Sequence, residues 1–334
     1  MLIRLRPLVL VNQSGLPLDD ILERHGDQVR IVDGRRDAAQ PWDVGEADIL
    51  VTGPSAEWKS APPSAPGGWR PGDRGNTPGW VHIVSAGVDG FPSWLLNGRA
   101  VTCGRGNAAV PIAEFVLGAI LLHEKRLDRL RISNGAEWRD QSDRAKRLAP
   151  LGTLENKSLG IAGYGAIGRA VAARARGFGL RVLSWRRSVW EAEDRRLVEP
   201  VDTLEELVSR ADHLLLALPL TENTAQCVNE RLLAFAKPGL HLINVARGGL
   251  VDEEALLGAL DDGRVAAATL DVAAAEPPPD GHRFYTHPRI HLTPHVSWSG
   301  PRVAAASTRH IAENLERFLA GRDMLDVVDP VRGY

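Results

Sequence analysis

A chain of 334 residues and 36.2 kDa has room for about two domains with cores of their own, which excludes a peptide or a stapled miniprotein. Charged residues make up 25% and apolar ones 44%, the balance of a soluble globular protein and not of a disordered or fibrous one. A formal net charge of -2 argues against a general grip on nucleic acid, and two cysteines, Cys103 and Cys227, cannot build a disulfide framework, which fits a cytoplasmic setting.

The opening run reads as the start of a β-strand, because Arg4 and Arg6 interrupt its apolar residues and no small-residue cleavage pattern follows. Apolar runs such as 115–122 and 214–220 are too short to cross a bilayer, so neither a membrane span nor a membrane partner is expected. Segments 8–12, 29–32, 49–52 and 81–85 are short and apolar, and longer mixed segments separate them. That rhythm predicts strands alternating with helices around a parallel sheet. Between Ala61 and Trp80 the chain crowds Pro62, Pro63, Pro66, Gly67, Gly68, Pro71 and Gly72, which no regular helix or central strand tolerates. The stretch reads as a solvent-exposed loop, and Trp58, Trp69 and Trp80 leave a lid as the second reading.

From Pro111 to Leu130 the residues Ile112, Phe115, Val116, Ala119, Ile120, Leu127 and Leu130 recur at helical spacing, predicting one long helix with a buried face. A second strand-and-helix series begins at Leu159 and continues through 180–185, 213–217, 241–245, 266–271 and 290–293, the pattern of a complete doubly wound domain. After Pro301, the spacing of Val303, Ile311, Leu315 and Leu319 predicts a last helix that packs back on the first domain. No repeat or low-complexity tract interrupts the series.

Gly163, Gly165 and Gly168 form Gly-x-Gly-x-x-Gly directly after an apolar strand and directly before an Ala-rich helix. Gly163 permits a tight turn, Gly165 lets the backbone approach a pyrophosphate, and Gly168 allows helix to pack closely on strand. The pyrophosphate of a dinucleotide would sit at the helix N-terminus, whose free N–H groups are donors. A carboxylate at the end of the next strand would select NAD(H) by bonding the ribose 2′-OH. Here Trp185 is followed by Arg186, Arg187 and Ser188, donors suited to a phosphate dianion, so NADP(H) is expected to be preferred, with NAD(H) as the second cofactor.

Three further strand ends carry Arg247, Glu276 and His295. Reduction of a ketone by hydride needs a proton donor, and a His held by a carboxylate meets that need. The carboxylate also favours the imidazolium form. A substrate carboxylate needs a bidentate cation, which Arg247 supplies.

With these motifs stand Ser85-Ala86-Gly87-Val88-Asp89, Ala113-Glu114-Phe115, Leu218-Pro219-Leu220-Thr221, Asn244-Val245-Ala246-Arg247-Gly248-Gly249, Leu270-Asp271-Val272, Glu276-Pro277 and Thr293-Pro294-His295. In this order the chain resembles the D-isomer-specific 2-hydroxyacid dehydrogenases, and especially their glyoxylate and hydroxypyruvate reductase branch, over nearly its whole length. The resemblance implies two doubly wound α/β domains: a Rossmann NAD(P)-binding domain over 105–299, inserted into a flavodoxin-like substrate domain over 1–104 plus 300–334. It implies an active site in the cleft between them, with His295 as general acid, Glu276 bonded to it, and Arg247 on the substrate's carboxylate and carbonyl oxygen. Backbone N–H groups of Ala86, Gly87 and Val88 would hold the other end of the carboxylate. Asp271 would bond the nicotinamide carboxamide, and Tyr164, Ala166, Ile167, Trp185, Leu218, Pro219, Val245 and Ala246 would line the cofactor. It also implies a homodimer built on the helix near Pro111, with a small 2-oxoacid as the partner molecule. Formate oxidation is disfavoured, since that activity pairs its His with an amide.

Blander readings stand beside these. Asp252 and Glu253 read as an N-cap and a dipole complement for the helix that follows, and Cys103 reads as structural. Trp298 either walls the substrate pocket or packs at the start of the last helix. No His/Cys spacing suggests a metal. Outside catalysis, a nonenzymatic NAD(P)H-sensing corepressor is the rival on the same fold, and within it a reductase for a bulkier acid such as phenylpyruvate.

Overall fold

The computed structural model describes residues 6–35, 37–67, 69, 77–127, 130–147 and 150–334, and divides the chain into two compact units, Met1–Asn107 with Gly300–Tyr334, and Ala108–Ser299. In the first unit the strands β1 (Leu8–Asn12), β2 (Val29–Asp33), β3 (Ile49–Thr52), β4 (Trp80–Ile83) and β5 (Ala100–Cys103) form one parallel sheet in the order β2-β1-β3-β4-β5. Its inner strands β1, β3 and β4 are buried along their whole length, which is why they read as unbroken apolar runs and not as alternations. The strand β5 is absent from the sequence expectation, because four residues beside Gly98 carry too little pattern. Helices α1 (Asp19–His25), α2 (Ala56–Lys59) and α3 (Ser93–Leu96) complete this part of the unit. The last helix, here called αC (Val303–Leu319), returns to it and buries Ile311, Ala312 and Leu315 against Leu8, Leu10, Ile49 and Trp80.

The tryptophans that suggested a lid belong to the core. Trp58, Trp69 and Trp80 are each at most 2% exposed, and their indole N–H groups donate to Thr52 Oγ1, the Trp42 carbonyl and Thr102 Oγ1. Trp58 packs 5.9 Å from Trp42, 6.5 Å from Trp69 and 5.5 Å from Phe91, centroid to centroid. Rings so bonded and enclosed are fixed in the core and do not sweep over a site. Gly68, Pro71 and Gly72 lie outside the described residues.

The second unit opens with α4 (Ala109–Lys125) and α5 (Gly135–Arg147). The helix expected over Pro111 to Leu130 ends at Lys125, because Arg126 takes a left-handed conformation (φ 49°) that closes α4 and Leu127 is left 56% exposed; α5 is a separate helix beyond it. Then follow β6 (Ser158–Ala162), α6 (Ala166–Ala175), β7 (Arg181–Trp185), α7 (Asp194–Leu197), β8 (Glu199–Pro200), α8 (Leu204–Arg210), β9 (His213–Leu216), α9 (Glu230–Leu233), β10 (Leu240–Asn244), α10 (Glu253–Asp261), β11 (Val265–Leu270) and β12 (Ile290–Leu292). All seven strands are parallel, in the order β12-β11-β10-β9-β6-β7-β8. The order reverses at β6, and an open sheet of this kind offers its ligand crevice beyond the carboxyl ends at such a reversal. Asp252 caps α10 by accepting from the Ala255 N–H at 3.1 Å, while Glu253 in its first turn accepts the Ala274 N–H at 2.8 Å. No helix among the described residues is long and apolar enough to cross a membrane.

Candidate active site

The sheet ladder runs past β6, with the Gly163 N–H donating to the Trp185 carbonyl at 2.9 Å and the Ala217 N–H to the Ala162 carbonyl at 2.8 Å. These bonds fix the glycine turn. Gly163 stands at φ +98°, and a Cβ there would lie 2.5 Å from the Ala217 carbonyl oxygen; a Cβ on Gly168 would lie 2.6 Å from the Gly163 oxygen. Gly165 differs, since its Cβ would meet nothing within 4 Å. It is the N-cap of α6 and supplies no side-chain cap, and the N–H groups of Ala166, Ile167 and Gly168 have no protein acceptor among the described residues. Free donors, open ground and the positive end of a helix make an anion cradle into which a dinucleotide pyrophosphate fits.

At the end of β7 the Arg186 guanidinium lies 2.9 Å from the Asp194 carboxylate and 4.4 Å over the Trp190 ring, and it donates to the Val189 carbonyl. Asp194, only 2% exposed, also binds Arg169 of α6. Sequence reading did not find Asp194, because no spacing rule links it to a residue on the preceding strand. Tyr164 is buried beside Trp190, ring centroids 5.2 Å apart, and burial together with the nearby Asp194 pushes its phenol pKa up. Arg186 is thus held by an internal counterion, whereas Arg187 and Ser188 are exposed.

His295 and Glu276 lie in the loops beyond the adjacent strands β12 and β11, with β10 beside them. Asp271, Thr293 and the residues that follow are tied to the sheet by the Asp271 N–H donating to Asn244 and the Thr293 N–H to Leu270, both at 2.9 Å. His295 follows at φ +54°, and its Nδ1–H donates to Glu276 Oε2 at 2.9 Å. A carboxylate only accepts, so this contact places a proton on Nδ1. The two side chains are 38% and 30% exposed. Asp271 is buried and accepts from Thr293 Oγ1 at 2.6 Å, the Val296 N–H at 2.9 Å and the Ser297 N–H at 2.8 Å. The Trp298 indole, half exposed, donates to the His295 carbonyl at 2.8 Å.

Arg247 follows β10 in a turn that Asn244 shapes, accepting from the Ala246 N–H at 3.1 Å and donating to the Arg247 carbonyl at 2.8 Å. The guanidinium donates to the Ala246 carbonyl at 2.7 Å. Gly248 admits no side chain, as a Cβ would lie 1.9 Å from the Ala273 carbonyl carbon. Leu218, Val245 and Ala246 are buried at the same sheet edge, where the Pro219 carbonyl accepts from Thr224 Oγ1 at 2.7 Å. Among the described residues no group of three or more His, Cys, Asp or Glu is placed to hold a metal ion.

In the first unit, the turn after β4 is held by Ser85, whose Oγ donates to the Gly87 carbonyl at 2.7 Å, and Val88 is buried beneath it. The N–H groups of Ala86, Gly87 and Val88 donate to no protein acceptor among the described residues. Three successive N–H groups without a protein acceptor are available to an anion.

Comparison with known proteins points to one family. The NAD binding domain of the D-isomer specific 2-hydroxyacid dehydrogenases matches residues 117–297. The chain is 32% identical over 284 residues to glyoxylate/hydroxypyruvate reductase A of Serratia proteamaculans, covering 80% of this chain and 86% of the relative. Among solved structures, a D-isomer specific 2-hydroxyacid dehydrogenase of Xanthobacter autotrophicus, in complex with NADPH and MES, is 26% identical with a TM-score of 0.76, over 98% of this chain and all of that one. An NADPH-dependent glyoxylate/hydroxypyruvate reductase of Sinorhizobium meliloti, solved with NADP and sulfate, is 26% identical with a TM-score of 0.74, over the same 98% and 100%.

Proposed function

The chain belongs to the D-isomer specific 2-hydroxyacid dehydrogenases, and on that premise we propose that it reduces a small 2-oxoacid of the glyoxylate or hydroxypyruvate kind to the D-2-hydroxyacid, preferring NADPH to NADH. The observation that carries the reading is the His295–Glu276 pair, which engages Nδ1 so that the imidazolium form presents its Nε2–H as the proton donor at the carboxyl edge of a dinucleotide-binding sheet. When bound, the reduced nicotinamide supplies hydride to the carbonyl carbon. As charge builds on the carbonyl oxygen, His295 Nε2 gives it a proton, and Glu276 stabilises the ring through Nδ1. Arg247 pairs with the substrate carboxylate and polarises the carbonyl. The exposed Arg187 and Ser188 at the β7 end support the preference for a 2′-phosphate.

The exposed apolar residues Val110, Leu127, Ile132 and Trp138 on and around α4 and α5 support a homodimer, checked by light scattering at micromolar protein. Both cysteines are free thiols, which supports a cytoplasmic enzyme. The activity is tested by following absorbance at 340 nm with NADPH or NADH and a panel from glyoxylate and hydroxypyruvate to pyruvate and phenylpyruvate. NADPH-dependent turnover that His295→Asn abolishes is the expected result. Tight NADPH binding with no turnover on any member of the panel would refute it and turn attention to a sensor role.

A further inference from the structure

His295 is a β-carbon-bearing residue in the left-handed region (φ +54°), a conformation that L residues avoid unless their surroundings impose it. The surroundings here are specific. Upstream, the His295 N–H donates to the Thr293 carbonyl at 3.0 Å, and Thr293 Oγ1 donates to Asp271. Downstream, the N–H groups of Val296 and Ser297 donate one to each oxygen of the Asp271 carboxylate. The carbonyl of His295 itself takes the indole N–H of Trp298 at 2.8 Å. Main-chain groups on both sides of the imidazole are therefore tied to two side chains, neither of which touches the ring.

Resting on the reading of His295 as the proton donor, we propose that Asp271 and Trp298 are positioning residues that hold the His295 imidazole against Glu276 by clamping its backbone. The carboxylate of Asp271 offers about four acceptor sites, and three are already taken by the 293–297 loop. Its buried charge is satisfied by these bonds, so the loop and the acid stabilise one another. Without the clamp, His295 relaxes toward negative φ, its Cβ turns away, and the Nδ1–Glu276 bond is lost. Trp298 then acts on the reaction through main-chain geometry, and its indole ring stays half exposed beside the site.

Trp298→Phe separates the bond from the ring, since it keeps an aromatic face and removes only the N–H. Asp271→Asn removes the charge and sets an amide N–H against a backbone N–H. In both variants kcat on glyoxylate with NADPH is expected to fall on the order of tenfold, because small misplacement of a reacting group is costly. KM for glyoxylate should stay within about twofold in both variants and Kd for NADPH within about twofold in Trp298→Phe, and exchange of the Val296 and Ser297 amides should quicken in the cofactor-free protein. Wild-type kcat in Trp298→Phe overturns the proposal; so does Asp271→Asn with weakened NADPH binding, unchanged kcat and unchanged amide exchange. If Asp271→Asn does not fold, Trp298→Phe decides alone. His295→Asn is measured in the same series: full turnover there sinks the functional reading itself, whereas an inactive His295→Asn beside a fully active Trp298→Phe sinks the clamp only.

Discussion

Glu276 Oε2 accepts the Nδ1–H of His295 at 2.9 Å, and the two residues come from the loops after adjacent strands, β11 and β12. The contact fixes tautomer and ring plane together, so its value lies in charge and not only in shape. Glu276→Gln keeps the shape and removes the negative charge beside the ring. We expect kcat to drop at least about tenfold, with NADPH affinity unchanged in a fluorescence titration. A kcat within a factor of two of wild type would show that Glu276 is dispensable to the proton donor.

The glycine turn separates folding from binding. A Cβ on Gly168 would stand 2.6 Å from a backbone oxygen, so Gly168→Ala must shift α6 and lower Tm. A Cβ on Gly165 meets nothing within 4 Å, and its φ of -94° suits alanine. Gly165→Ala is therefore expected to keep Tm and to weaken NADPH at least about tenfold, because the methyl occupies ground the pyrophosphate needs. Equal cofactor affinity in Gly165→Ala and wild type would mean that the cofactor does not approach this backbone.

Two neighbouring arginines at the β7 end have different surroundings, which separates what each is expected to do in cofactor choice. Arg186 is paired with buried Asp194 and stacked on Trp190, while Arg187 is exposed. Arg187→Ala should weaken NADPH roughly tenfold and leave NADH unchanged, the loss of one charge-assisted bond to a 2′-phosphate. Arg186→Ala should also lower stability by about 1–3 kcal/mol, since Asp194 loses one of its two cations. Identical NADPH-to-NADH ratios in Arg187→Ala and wild type would remove Arg187 from the selection.

Legibility in the sequence followed the length of the pattern. Buried strands such as Leu8–Asn12 and Ile49–Thr52 declare themselves by unbroken Val, Ile and Leu, but Ala100–Cys103 and the two-residue Glu199–Pro200 hold too few residues to show a period. Apolar spacing carried the helix from Ala109 past its true end, because the left-handed Arg126 is a backbone event that no residue type announces. The residues around the site were legible where motif and strand end coincide, as at Gly163, Arg247 and His295. Partnerships across the sheet were not: Asp194 under Arg186, the three bonds on Asp271, and the bond from Trp298 all depend on tertiary placement. Histidines that look scattered along the chain illustrate the same limit. His123 stacks on His241 at 4.4 Å, and His241 Nδ1 lies 3.2 Å from His213 Nδ1.

Acid sensitivity offers a test away from the active site. His82 on β4 is fully buried, with Nδ1 2.8 Å from Thr102 Oγ1, and that hydroxyl accepts the Trp80 indole N–H at 2.9 Å. The hydroxyl hydrogen is then free to point at Nδ1, and the imidazole is neutral. Burial first, and the nearby His310 second, hold its pKa down at about 3, against 6.5 for an open histidine. His310 itself faces Asp326, at 3.4 Å, and burial keeps its pKa low as well. Between pH 6.5 and about 3 the unfolded chain takes up a proton at His82 that the folded one refuses, so stability rises with pH there. The His82 contribution is complete above pH 6.5 and declines as pH falls toward 3, by about 3 kcal/mol at pH 4.5. His82→Asn keeps an acceptor for Thr102 and cannot titrate. Urea unfolding at pH 7.5 and pH 4.5, followed by tryptophan fluorescence to which Trp42, Trp58, Trp69, Trp80 and Trp94 of the first unit contribute, should show a smaller acid loss in the variant by that amount. Equal losses in the two proteins would show that His82 is not what makes the first unit acid-sensitive.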